Sequence, residues 1–72
     1  MALKWQKDVY STNVQSIAYD EEANAMIVSW LKGKRSAYLG VPEDLAWEVA
    51  NAPSVGSILS SRIKHQYEHR YV

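Results

Sequence analysis

The apolar residues of this chain change their spacing once, at Val41-Pro42, and this change limits the folds available to it. Before it, three apolar runs have the length and alternation of β-strands: Val14–Tyr19, Ala25–Leu31 and Arg35–Leu39. Polar turns separate the runs, and the second turn contains Gly33, which suits a tight hairpin. The first half therefore predicts a three-stranded antiparallel meander.

After Pro42 the apolar residues recur at three- and four-residue steps, which is the period of a helix. Pro42 suits the first position of a helix that ends before Pro53. Ser54 suits the N-cap of a second helix, whose apolar stripe continues to Tyr67. The predicted fold is α+β, with a three-stranded antiparallel meander followed by two helices packed on one face of the sheet.

The chain has 72 residues and no cysteine, so apolar burial alone must hold a single small domain together. We assign residues 13–69 to that domain and residues 1–12, which show no clear period, to an N-terminal arm. Trp5 and Tyr10 are costly to leave in water, so they either complete the core or contact a partner. The longest apolar run, residues 25–31, is too short to cross a membrane, and we expect a cytoplasmic monomer.

No group of side chains predicts catalysis. The serines after Pro53 could be combined with His65 and an acid, but serines near a helix start usually act as caps or small packing residues. His65 and His69 would share a helical face, yet a third metal ligand is missing. The three glycines lie apart at turns and form no phosphate-binding loop. We therefore predict a non-enzymatic protein without a metal or a cofactor.

Basic and aromatic residues predict a contact surface, although the net charge of zero argues against a general nucleic-acid coat protein. The candidate contact residues come from the hairpin, the arm and the second helix: Lys32, Lys34, Arg35 and Tyr38; Lys4, Trp5, Lys7 and Tyr10; Arg62 and Lys64. Two simpler interpretations stay open. The hairpin lysines would keep a sheet edge soluble, and the arm would fold back to complete the core.

The order of short motifs between residues 11 and 67 resembles the KTSC domain family, a module named after the C-terminus of some lysyl-tRNA synthetases. The family pattern contains paired hydroxyl residues, a strand ending in an aromatic residue and Asp, a turn glycine, Tyr-x-Tyr, Val-Pro, Ala-x-Ser-x-Gly and Ile-basic-x-x-Tyr. This chain matches it with Ser11-Thr12, Tyr19-Asp20, Gly33, Tyr38, Val41-Pro42, residues 52–56 and residues 63–67. It departs from the pattern at Ser36, where the family has the first tyrosine of Tyr-x-Tyr.

The family resemblance implies RNA binding as one candidate function. The length and opening residues also look similar to small phage-encoded regulators of host transcription. That resemblance implies a protein that binds bacterial RNA polymerase in the host cytoplasm, inhibits initiation and promotes antitermination, with RNA near the exit path as a second contact. The zero net charge and the loss of a tyrosine at Ser36 favour polymerase as the partner, with RNA binding as the alternative.

Overall fold

The structure, a computed structural model, describes residues 3–72 and contains one five-stranded antiparallel sheet in the order β1-β2-β3-β4-β5. The strands are β1 (Trp5–Asp8), β2 (Val14–Asp20), β3 (Ala25–Trp30), β4 (Arg35–Leu39) and β5 (Glu68–Tyr71). Between β4 and β5 lie α1 (Glu43–Ala50), α2 (Val55–Ile58) and a π-helical segment (Leu59–Ile63) that continues directly from α2. The predicted order of a three-stranded meander followed by two helices is therefore wrong.

The first correction concerns the number of strands, because residues 5–8 of the N-terminal arm form the additional edge strand β1. Trp5 lies opposite Tyr19 in β2, and the Lys4 N–H donates to the Tyr19 carbonyl oxygen at 2.7 Å. In β1 only Trp5 and Lys7 are partly buried, and they alternate with exposed neighbours. A strand of four residues with a single large apolar side chain shows too little apolar alternation to be predicted from sequence. It is stable as a strand because its backbone pairs with β2.

The second correction concerns the last helix, which ends at Ile63 instead of continuing through the basic residues. The Lys64 N–H donates to the Leu59 carbonyl oxygen at 2.9 Å, five residues back, which is the π-helical spacing. Within this segment the Ser61 hydroxyl donates to the Ser57 carbonyl oxygen at 3.0 Å, a contact that bends helices. The chain then turns and pairs as β5 with β4, whose backbone groups would otherwise form an open edge.

The helices cover one face of the sheet, and the main core lies between them. Its sheet side is made by alternate strand residues, including Ile17, Tyr19, Met26, Val28 and Tyr38. Its helix side is made by buried residues of α1, α2 and the π-helical segment: Ala46, Val49, Ala50, Val55, Leu59 and Ile63. The opposite face carries a smaller cluster of Ala18, Ala25, Ile27 and Ala37.

The β3–β4 hairpin turns at Gly33, whose φ of 91° lies in the region that favours glycine. This confirms the predicted turn and places Lys32 and Lys34 on either side of the hairpin tip. Pro42 occupies the N-cap of α1 with extended backbone, one residue before its predicted position, and Ser54 occupies the N-cap of α2. Within residues 3–72, no helix has the length and apolar character needed to span a membrane.

Candidate nucleic-acid interface

An open groove lies on the helix-covered side of the sheet, where β4 and β5 extend past the π-helical segment. We call it the aromatic groove; its volume is about 300 Å³, and it is lined by Trp30, Ser36, Tyr38, Lys64, His65, His69 and Tyr71. The register explains this composition, because Tyr38 pairs with His69 and Ser36 pairs with Tyr71. Alternate residues of β4 and β5 therefore face the same space.

Three rings form a continuous row across β4 and β5. The ring centroids of Tyr38 and His69 are 5.1 Å apart at 36°, and those of His69 and Tyr71 are 4.6 Å apart in an edge-to-face arrangement. Tyr38 is buried, whereas the side chain of Tyr71 is 71% exposed. Burial raises the pKa of the Tyr38 phenol, so this group stays neutral at physiological pH. The row therefore runs from the core to an aromatic face that is open to solvent.

Ser36 is fully buried at the floor of the groove, and it accepts a hydrogen bond from the Trp30 indole N–H at 2.8 Å. The short side chain leaves room for the indole to lie over β4, in the space that a larger side chain at position 36 would need. The indole of Trp30 therefore lies against Ser36, while His69 and Tyr71 extend the aromatic surface on the neighbouring strand.

Lysines lie at both ends of the aromatic groove. At the hairpin end, the Lys34 ammonium lies 5.7 Å from the centroid of the Tyr71 ring, a cation–π distance. Arg35 and Lys34 also line a shallow surface next to Tyr71. At the other end, Lys64 lies in the turn that follows the π-helical segment, beside His65. Three of the predicted contact residues, Lys34, Tyr38 and Lys64, are therefore brought together around the aromatic groove, whereas Arg35 alternates with Ser36 and lies towards the opposite face of the sheet.

The arm residues form a separate cluster at the other end of β3. The Lys4 ammonium lies 2.9 Å from carboxylate oxygens of both Glu21 and Glu43. The Trp5 indole N–H donates to Glu43 at 3.2 Å. The positive charge of Lys4 holds the pKa of the Glu43 carboxyl below its usual value, and the two acids raise the pKa of Lys4. Lys4 and Trp5 thus attach β1 to the helix side of the fold.

Aromatic packing completes this cluster. The Trp5 ring stacks on Tyr19 with centroids 6.2 Å apart, and it meets Trp47 of α1 edge-to-face at 5.1 Å. Lys7 donates to the side chain of Asn51 and lies 5.5 Å above the Trp47 ring. The structure therefore places Trp5 in the extended core.

The remaining candidates lie outside both clusters. Arg62 forms an ion pair with Glu48 of α1, which reduces its availability as a free cation. Tyr10 lies in the loop between β1 and β2 with its side chain fully exposed. The ten predicted contact residues therefore do not form one surface.

Of the seven residues that line the groove, the sequence predicts Tyr38 and Lys64 as contact residues and does not predict Trp30, Ser36, His65, His69 and Tyr71. The predicted helical face shared by His65 and His69 is wrong for His69, which lies in β5. The alternation of His69 and Tyr71 with Glu68 and Arg70 is a two-residue period that predicts a strand. That signal spans only four residues and directly follows a longer helical pattern.

The fold is that of a small domain with one antiparallel sheet covered by helices on one side. The family model of the KTSC domain matches residues 10–67, so the chain belongs to the KTSC domain family. The chain is similar to a KTSC domain protein from Yersinia pestis whose crystal structure is known. The two share 28% sequence identity with a TM-score of 0.85, and the match covers 99% of each chain. A search of curated proteins finds no match.

Proposed function

We propose that this chain is a non-enzymatic module that binds single-stranded RNA in the aromatic groove. The observation that carries the proposal is the row of Tyr38, His69 and Tyr71, with Lys34 at one end and Lys64 at the other. Single-stranded nucleic acids bind to surfaces that combine aromatic rings for the bases with cations for the phosphates. The exposed face of Tyr71 offers the first stacking surface.

Charge placement supports an anionic ligand even though the whole chain is neutral. No aspartate or glutamate is among the residues that line the groove within the described part of the chain. Glu68, which is nearest in sequence, alternates to the opposite face of β5 and pairs with Arg70 at 3.0 Å. A phosphate in the groove would therefore meet lysines and imidazoles without a facing carboxylate. The family's association with lysyl-tRNA synthetases, implied by the resemblance, points the same way.

The test is a titration of a short single-stranded oligouridylate at several salt concentrations. Contacts from Lys34 and Lys64 to two phosphates give an expected slope of about −1.4 for log K against log salt. We expect Tyr71→Ala to weaken binding about five- to 150-fold, because stacking contributes about 1–3 kcal/mol per base. No binding by the unmodified protein at low salt would contradict the proposal.

A matched pair of charge variants locates the RNA. Lys64→Ala removes a cation that lines the groove. Arg62 lies two residues before Lys64 but forms an ion pair with Glu48 of α1, so Arg62→Ala removes a cation that is already paired. We expect Lys64→Ala to lower both the affinity and the salt slope, and Arg62→Ala to change neither by more than about twofold. Equal effects would mean that RNA is held by general surface charge and not in the groove.

A second candidate function is regulation of bacterial RNA polymerase by direct contact, with inhibition of initiation and antitermination as the outcome. The observation that favours it is Tyr10, whose ring is fully exposed although tyrosine is a preferred anchor of protein interfaces. Tyr10 lines an open depression with Pro53, Ser54 and Val55, away from the aromatic groove. A polymerase contact there would leave the groove free for RNA.

Binding of purified bacterial core polymerase to the immobilised protein tests this second candidate. We expect Tyr10→Ala to abolish retention of polymerase, while Tyr71→Ala retains it. If the unmodified protein retains no polymerase subunit, the polymerase hypothesis fails, and the RNA titration is unaffected by that result.

A further inference from the structure

A second open pocket lies beside the aromatic groove and shares two of its walls, Trp30 and Tyr71. We call it the side pocket; its volume is about 280 Å³, and its other lining residues are Thr12, Asn13, Leu31, Lys32 and Lys34. The pocket is formed where the loop before β2 meets the β3–β4 hairpin. The Leu31 N–H donates to the Asn13 carbonyl oxygen at 2.9 Å and ties these two segments together.

The walls of the side pocket combine three kinds of surface. Trp30, Tyr71 and Leu31 are apolar or aromatic, and Leu31 is 55% exposed although it is a large aliphatic residue. Lys32 and Lys34 supply positive charge at the hairpin side. Thr12 and Asn13 supply a hydroxyl and an amide at the loop side, so hydrogen-bond donors and acceptors face an apolar wall.

This combination fits a nucleotide better than an apolar peptide side chain. A nucleobase has flat faces that need apolar contact and edges that need hydrogen bonds, and its phosphate needs cations. A leucine or phenylalanine of a protein partner would use the apolar walls but leave the two lysines and the amide without a role. Charge complementarity therefore selects the nucleotide.

We infer that the side pocket is a second nucleotide subsite, in which one base lies against Trp30 and Leu31 with its edge at Asn13. Its phosphate lies between Lys32 and Lys34. This inference rests on the proposed RNA binding and extends it. The RNA strand crosses over Tyr71, with one nucleotide in the aromatic groove and the next in the side pocket, so that at least two consecutive unpaired nucleotides are recognised.

Calorimetric binding of a tetrauridylate tests the subsite with Leu31→Asp and Asn13→Ala. Leu3→Asp is the matched control, since Leu3 is also an exposed leucine but precedes β1 beside Tyr19, at the other end of β2 from this pocket. We expect Leu31→Asp and Asn13→Ala to bind about tenfold more weakly than the unmodified protein. Leu3→Asp should stay within about twofold.

Each contrary outcome has a distinct meaning. Wild-type affinity in both side-pocket variants, together with weakened binding by Lys64→Ala, overturns the subsite and leaves the groove proposal standing. Loss in Leu31→Asp alone, with Asn13→Ala unchanged, is explained by the added negative charge beside Lys32 and Lys34 and also overturns it. No binding of the tetrauridylate by the unmodified protein overturns both.

Photocrosslinking gives a second readout that does not depend on how well a variant folds. With a tetranucleotide that carries 4-thiouridine, we expect adducts on the peptide that contains Trp30 and Leu31 as well as on β5. Adducts confined to residues 64–71 would contradict the second subsite.

Discussion

The hydroxyl group of Ser36 fixes the position of a much larger side chain. Its oxygen is fully buried and is the hydrogen-bond acceptor for the Trp30 indole N–H. Because Trp30 forms a wall of both the aromatic groove and the side pocket, this one bond sets the shape of two neighbouring cavities.

Ser36→Ala removes the acceptor and leaves a partly buried indole N–H without a partner. We expect the free energy of unfolding to fall by about 1 kcal/mol, the usual net contribution of one such bond. Urea denaturation followed by circular dichroism measures the change. Ser29→Ala is the control, since Ser29 lies on the opposite face of the sheet and makes no side-chain hydrogen bond among the described residues. Equal stability of Ser36→Ala and the unmodified protein would show that the bond contributes nothing.

At the scale of elements, β1 is held mainly by Trp5. Trp5 contacts Tyr19 in β2 and Trp47 in α1, so its ring links the edge strand to both layers of the fold. The other side chains of β1 are polar and gain little from burial.

Trp5→Ala is expected to lower the free energy of unfolding by about 2–3 kcal/mol, somewhat less than for a fully buried tryptophan. Tyr10→Ala should change it by less than about 0.5 kcal/mol, because that ring is fully exposed. Chemical denaturation of the two variants side by side makes the comparison. A larger loss for Tyr10→Ala than for Trp5→Ala would contradict this assignment of the arm.

The two edge strands also show where sequence reasoning works and where it fails. β2, β3 and β4 were predictable, because each has several apolar residues at strand spacing and a clear turn between them. β1 and β5 have four residues each, which is too short for a clear apolar alternation. They form strands because they pair with β2 and β4, and this pairing is not visible in their own sequence. The helical pattern before β5 also ran on through Gln66 and Tyr67, which hid the turn after Ile63.

The candidate site was predictable only in part for the same reason. Lys34, Tyr38 and Lys64 are predictable from their basic or aromatic character, and they do lie around the aromatic groove, whereas Arg35 lies towards the other face of the sheet. Their companions His69 and Tyr71 join them only because β5 pairs with β4, a long-range contact. Lys4 and Trp5 meet the same criteria, but Lys4 forms ion pairs with two glutamates and Trp5 packs against Tyr19 and Trp47.

For the whole molecule, the zero net charge conceals an ordered separation of charges. Lys4 is paired with Glu21 and Glu43, from the β2–β3 turn and the start of α1, so it joins three segments that are distant in sequence. The lysines of the hairpin and of the turn before β5 surround the two pockets at the other end.

This arrangement predicts sensitivity to acid. Lys4 holds the pKa of Glu43 below its ordinary value of 4.5, so the native state binds fewer protons than the unfolded chain as the pH falls past that value. The stabilisation is complete above pH 4.5 and is lost as the pH falls through the lowered pKa of Glu43. We expect Glu43→Gln to melt at a lower temperature than the unmodified protein at pH 7 and the difference to shrink towards pH 3.

Melting temperatures measured across this pH range test the prediction. Glu22→Gln is the control, because Glu22 is an exposed acid of the β2–β3 turn without an ion pair among residues 3–72. A difference between Glu43→Gln and the unmodified protein that stays constant at every pH down to acid unfolding would exclude the ionised Glu43 as its source.

The positions of the three tryptophans make the fluorescence of one of them, Trp30, a probe of the candidate site. Trp5 and Trp47 contact each other at one end, whereas Trp30 stands alone between the aromatic groove and the side pocket. Indole emission responds to changes in polarity and to stacked bases, so Trp30 would report ligand entry from either side. In a chain with phenylalanine at positions 5 and 47, the tryptophan emission would come from Trp30 alone.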